Sequence, residues 1–191
     1  MKLRRVVTGF DDQGKSVFVS DGQPPVSRDF NQPPGFFQSM VWATKPGAKI
    51  YGAPGSGPLT AGRNADPTVN EPMYHAEVGG GTRFLVVTFP PDSVFFTDKF
   101  NMDELVKEHM VHAKGIFERM EPDNPGMHKT DTVDYIVVLE GEVTLELDDG
   151  KTVDLKPHDI VIQNGTRHAW RNRGKTGVTI LAFMVGATRT R

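Results

Sequence analysis

The stretch that decides the reading is His128-Lys129-Thr130-Asp131-Thr132-Val133-Asp134-Tyr135-Ile136-Val137-Val138-Leu139-Glu140-Gly141. It is rich in β-branched residues and closes on a glycine, the pattern of a strand that ends in a turn. In an extended chain, residues of equal parity share one face. His128, Thr130 and Asp134 therefore point the same way as Ile136 and Val138, while Tyr135 points to the other side. An ionisable group on an apolar face is costly unless it is paired, hydrogen-bonded or bound to a cation. This face is the first candidate for chemistry.

Working outward, short β-rich runs recur at 142–148, 151–155, 159–163, 168–172 and 177–185. Asp148-Asp149-Gly150, Lys156-Pro157, Asn164-Gly165 and Arg173-Gly174 punctuate them. Short strands at this spacing indicate a sandwich or barrel. His168 opens one of these runs, with Trp170 and Asn172 on its face. Upstream, Arg83 to Phe89 is an apolar β run stopped by Pro90-Pro91. Asn101 offers an N-cap with Glu104 three residues on. The spacing of Met102, Leu105, Val106, His109, Ala113 and Ile116 predicts one helix over 102–114, with Gly115 just past its end. Arg4–Thr8 and Ser16–Ser20 read as a hairpin. Loops dominate from there to residue 82, through Pro24-Pro25, Pro33-Pro34 and the stretch Pro46 to Pro58, with one short strand at Met40–Ala43.

Composition bounds the function. A length of 191 residues suits one good-sized domain. The 20 glycines and 14 prolines, most of them before residue 83, exclude a compact helical bundle and point to an all-β fold. With 22 Lys and Arg against 24 Asp and Glu, there is no basic footprint for nucleic acid or for a membrane surface. The absence of cysteine removes disulfides, thiolate metal ligands and thiol nucleophiles. No apolar run reaches the length of a secretory core or a membrane span, so a cytoplasmic location is the expectation. Asn164-Gly165-Thr166 fits a glycosylation pattern but reads as a turn.

One motif is rejected. Gly9-Phe10-Asp11-Asp12-Gln13-Gly14-Lys15-Ser16 matches the phosphate-binding expression G-x-x-x-x-G-K-[ST]. That mechanism needs a helix N-terminus directly after the lysine. Ser16-Val17-Phe18-Val19-Ser20 alternates like a strand instead, and Asp11 and Asp12 would repel phosphate.

The chemical residues resemble the cupin superfamily. His128-Lys129-Thr130, Asp134 and Gly141 overlay its first motif, G-x5-H-x-H-x3-4-E-x6-G. Gly150, Pro157-His158-Asp159, His168 and Asn172 overlay its second, G-x5-P-x-G-x2-H-x3-N. The overlay covers about 126–172. The resemblance implies an all-β, single jelly-roll barrel over 83–191, with a loop-rich N-terminal arm over 1–82 packing on it and one short helix. It also implies a metal held by three His and one Glu. Here Thr130 stands in place of the second His and Asp134 in place of the Glu; Asp159 replaces the glycine of the second motif.

What survives is His128, Asp134 and His168, the donor set of a facial triad with open positions. Fe, Zn, Mn or Ni would suit such nitrogen and oxygen ligands. A metal-free His–Asp pair moving a proton is the alternative. Thr130 and Trp170 stand on the same face as substrate-binding candidates. The expected function is a cupin-type small-molecule enzyme, a dehydratase- or decarboxylase-like lyase or an isomerase, acting on a hydrophobic or aromatic substrate. The alternatives are a non-catalytic ligand-binding or sensor cupin and an Fe(II) dioxygenase. A homodimer is the expected assembly, with no nucleic acid or membrane partner. His109 and His112, three apart on the predicted helix, are a weaker metal candidate because His109 sits on the apolar stripe.

Overall fold

A computed structural model describes residues 2–49, 66–69 and 73–190; much of the Pro46–Pro58 stretch falls outside them. The chain opens with the expected hairpin, β1 (Arg5–Phe10) and β2 (Ser16–Gly22). Its turn is closed by Asp11, whose Oδ1 accepts from the backbone of Gln13 and Lys15. No helix follows Lys15. Then come β3 (Val26–Asp29), β4 (Phe37–Thr44) and β5 (Thr82–Phe89).

The helix, α1, runs Met102–His112. Asn101 caps it, its side chain accepting from the Glu104 backbone N–H at 3.1 Å. This is half of a capping box, because the Asn101 N–H is taken by the Gln32 side chain. Short strands follow: β6 (Met120–Glu121), β7 (Asn124–His128), β8 (Thr132–Glu140), β9 (Val143–Glu146), β10 (Thr152–Leu155), β11 (Ile160–Asn164), β12 (Ala169–Arg171) and β13 (Val178–Gly186).

The strands pair into a six-stranded sheet, β11-β8-β13-β5-β4-β3, a three-stranded sheet, β10-β9-β12, and two ribbons, β1-β2 and β6-β7. β3 and β4, from the loop-rich segment, thus extend the sheet beside β5. Met40, Leu85, Ile136, Val138, Ile180 and Ala182 of the large sheet share one core with Val143 of the small one, and Leu155 and Trp170 pack against it.

The expected closed jelly-roll barrel is not formed. The sheets remain open, the large one ending at β11 and β3 and the small one at β10 and β12. The reason is visible where the chain passes from one sheet to the other. Between β7 and β8, the carbonyls of Thr130 and Asp131 turn away from the ladder, accepting from Arg189 and from the Ala187 N–H. Opposite them, Gly165 takes φ 60°. Its carbonyl also accepts from Arg189. A Cβ at Gly165 would lie 2.9 Å from the Thr130 carbonyl oxygen. With their hydrogen-bonding groups spent on the C-terminal segment, these residues cannot continue the ladder, and an isolated pair at His128 and His168 is what joins the two chain segments. Among the described residues, no helix is long and apolar enough to cross a membrane.

Candidate functional site

β8 carries the inner face. Thr132, Asp134, Ile136 and Val138 are buried, whereas Tyr135 is 48% exposed, as strand parity requires. β11 lies antiparallel beside it with Gln163 opposite Asp134. The β8–β11 ladder ends one pair further on, at Asn164 and Val133, and the two chain segments meet again at His128 and His168. There each backbone N–H donates to the other's carbonyl at 2.9 Å. Residues paired in this way present their side chains on one side. The two imidazoles accordingly stand 4.4 Å apart between ring centroids, tilted by 48°.

Their hydrogen bonding is matched. Nδ1 of His128 lies 3.0 Å from the Gly126 carbonyl oxygen. Nδ1 of His168 lies 3.0 Å from that of Thr166. A carbonyl can only accept, so each Nδ1 carries the proton and donates it, and each Nε2 keeps a lone pair. Such a bond fixes the tautomer and ring orientation and raises the basicity of the other nitrogen. Burial opposes protonation of both rings. It pushes His168 down to about 4, with His128 adding to the effect. His128 is lowered for the same reason, while the Gly126 carbonyl and Glu121 pull the other way. Both imidazoles are neutral at neutral pH.

Asp134 is 4% exposed. Burial raises its carboxyl to about 6 against a hydrogen bond from the Thr132 hydroxyl. Thr132 and Thr130 hydroxyls are 2.7 Å apart. With Thr132 donating to Asp134, Thr130 donates to Thr132, so a relay runs from the position of the missing histidine to the carboxylate. Asp134 Oδ1 has no hydrogen-bond partner. Leaving such an atom buried costs about 1–3 kcal/mol, more for a charge. Trp170 meets the His168 ring edge-on at 5.8 Å.

The structure therefore brings His128, His168 and Trp170 together and links Thr130 to Asp134. The free Nε2 atoms, each backed by a carbonyl on Nδ1, have the chemistry of metal ligands. Among the described residues, however, no three His, Cys, Asp or Glu side chains are placed to hold one metal ion. The described donors do not fit a three-ligand centre.

The remaining candidates have structural work. Arg167 is clamped by Glu121 and Asp148 at 2.6 and 2.8 Å. Arg171 binds Glu146, Asn124 and the Pro125 carbonyl. Arg83 is buried on the inner face and donates to the carbonyls of Met73 and Thr82. Asn172 closes its own turn, donating to the Phe89 and Thr176 carbonyls. Sequence reasoning missed Gln163 and Thr132. Parity points to Thr132, but only the β8–β11 register puts Gln163 beside Asp134. A cleft of about 570 Å³ lies on the outer side of the large sheet, between β1 and Trp42, Phe84 and Val86. None of the site residues lines it.

A mostly-β, two-sheet molecule whose strands carry paired inward histidines is cupin-like. Residues 116–184 match the family model described as "Cupin_2: Cupin domain", and the protein carries a small cupin domain over that stretch. The chain is similar to a phomopsin biosynthesis cluster protein of Diaporthe leptostromiformis, 47% identical over 30% of this chain and 31% of the relative. It is also similar to a cupin-domain-containing oxidoreductase of Neurospora crassa, 35% identical over 35% and 36% of the two chains. The matched stretch thus spans only about a third of either curated relative. A solved RmlC-like cupin from Methanocaldococcus jannaschii aligns with a TM-score of 0.37 at 12% identity, over 58% of this chain and 74% of that one. Over part of its length the chain is similar to biosynthesis-cluster proteins and cupin-domain-containing oxidoreductases.

Proposed function

We propose that this protein is a small-molecule enzyme of the lyase or isomerase kind, with His128 and His168 as its proton-transfer groups. The observation that supports this most directly is the matched pair of buried, neutral imidazoles. Each is locked by Nδ1–H on a carbonyl and each has an unspent Nε2. One Nε2 would take a proton from the carbon next to a substrate carbonyl. The resulting imidazolium would give it back, to a neighbouring carbon in an isomerisation or to a departing hydroxyl in a dehydration. In this reading Asp134 and Thr130 bind substrate on the same inner face, and Trp170 walls the histidines with an aromatic surface suited to an apolar or aromatic substrate. The name of the Diaporthe relative supports small-molecule biosynthesis as the setting. The name of the Neurospora relative favours a second reading, oxidoreductase. That reading calls for Fe, Zn, Mn or Ni on the same two histidines.

The two readings part in one experiment. The full chain, purified without added metal, is analysed for metal content and then incubated in D2O with a panel of β-hydroxy and β-keto carbonyl compounds. The proposal expects deuterium at the carbon next to the carbonyl, reduced at least about 100-fold in His128→Ala and His168→Ala. Stoichiometric metal that is lost in His168→Ala, without deuterium incorporation by the wild type, would instead overturn the proton-transfer proposal in favour of a metal-dependent one.

A further inference from the structure

An antiparallel sheet with one face in water alternates apolar with polar residues along each strand. β8, β11 and β13 do not. Ile136, Val138, Ile180 and Ala182 face the core. The outward positions of the same strands, from Val133 to Leu139, Ile160 to Ile162 and Leu181 to Val185, carry no charged side chain either. Strands that are apolar on both faces are strands buried on both faces.

The register lines the outward residues up in two cross-strand rows. One runs Ile162, Tyr135, Phe183, Phe84 and Trp42; the other runs Ile160, Val137, Leu181 and Val86. Neighbours in such a row lie about 5 Å apart, so the rows form one continuous surface. Their two ends differ. Over β4 and β5 the hairpin lies against the sheet, Arg5 stacking on Trp42 at 5.5 Å and donating to the Val41 carbonyl. Val86 is buried there. At the β11 end, Ile160 is 68% exposed and Ile162 49%, and Tyr135, Leu139 and Phe183 are exposed beside them.

Contiguous apolar patches of this kind mark interaction surfaces. Taking about 200 Å² for a fully exposed large side chain, these five present on the order of 500 Å². Val137 and Leu181, half-buried between them, bring the patch toward the about 800 Å² that each partner gives to a stable interface.

We propose that this face binds a second copy of the chain, forming a two-fold dimer by sheet-on-sheet packing. Interfaces between separately soluble partners use charges to select the partner and its register, whereas interfaces between copies are more apolar. The outward rows at the β11 end hold no charge. A twisted antiparallel sheet also packs well on another at about 30° between strand directions. A two-fold axis through the patch then sets each row against its own copy. Asp134 and the proposed chemistry point to the other side of the sheet, so the dimer stands or falls independently of the proton-transfer reading.

Sedimentation of the full chain over about 1–100 µM tests this, with a species of twice 21.1 kDa expected. Ile162→Arg brings a charge from each copy into the desolvated patch and should weaken the dimer at least about 100-fold. Its circular dichroism should stay that of the wild type, because the side chain points outward. Tyr135→Lys on the neighbouring strand should act in the same way, so a folding failure in one variant leaves the other to decide. Phe18→Arg, at an exposed position of the hairpin outside the patch, should leave the dimer intact. A monomer across this range would overturn the proposal; if that monomer bound neutral phosphatidylcholine vesicles, the face would belong to a lipid surface instead. A dimer that survives both Ile162→Arg and Tyr135→Lys, or one broken by Phe18→Arg, would overturn it as well.

Discussion

Buried histidines occur at two places in this molecule, and they are buried differently. His109 on α1 lies among the rings of Phe30, Phe36 and Phe117, at 4.5, 5.3 and 5.2 Å between centroids. Its Nε2 donates to the Gln32 carbonyl at 2.8 Å. That bond and the packing tie the helix to the segment before β4, and the nitrogen able to face a ligand is consumed. His128 and His168 spend Nδ1 instead, on carbonyls two residues back along the chain. Burial lowers the basicity of all three. Burial and basicity therefore do not distinguish His109 from the other two; the nitrogen that the fold leaves free does. His112, the other half of the helical pair considered from sequence, is held outside by Arg28.

The largest expected effect breaks the structural member of the comparison. His109→Ala opens a cavity within the phenylalanine rings and strands the Gln32 carbonyl. It should cost about 3 kcal/mol in urea unfolding while leaving the His128 and His168 imidazole resonances in place.

Next in size is an effect of pH that sharpens the chemical member. His168 titrates near 6.5 when unfolded and about 4 when folded. Between those values the unfolded chain binds the extra proton, so this group's stabilisation is complete above pH 6.5 and is lost as pH falls. Asp134 works in the opposite sense. Its carboxyl moves from 3.8 to about 6 on folding. The folded state therefore holds the extra proton in that range and gains stability as pH falls. The two nearly offset each other. Asp134→Asn removes the offset, and its unfolding free energy should drop by about 2 kcal/mol more than that of the wild type from pH 6.5 to pH 4. His168→Ala should shift the profile the other way, its stability falling less on acidification than that of the wild type. Chemical denaturation across that range measures both, and parallel profiles for all three proteins would contradict the opposed shifts.

The smallest effect concerns what positions the pair. Arg189 binds Asp131 at 2.6 Å and the carbonyls of Thr130 and Gly165 at 3.0 and 2.9 Å. It is half exposed, so Arg189→Ala should cost only about 1 kcal/mol. Amide exchange at His128 and His168 should nevertheless speed up, with no change at His109.

Much of this was legible before any coordinates. The alternation from Thr132 to Val138 placed Asp134 inward and Tyr135 outward, because strand parity is a local property. The Asn101 cap and the strand runs after Gly141 were readable for the same reason, to within a few residues. The closed barrel was not, since closure depends on whether backbone groups at the corners pair with a neighbouring strand or with something else. At Thr130, Asp131 and Gly165 they pair with the C-terminal segment, which is near only in space.

The sequence by itself determined a cysteine-free, mostly-β chain with inward-facing His128, Asp134 and His168, since composition and period-two patterning act within a strand. Tertiary structure decided the open sheets, the ring-to-ring meeting of His128 and His168, the separation of Asp134 from them and its pairing with Gln163. Those depend on the register between β8 and β11 and on the corner at Thr130, Asp131 and Gly165 that leads to the histidines. Register is a relation between segments distant in sequence, fixed by which faces the whole core buries.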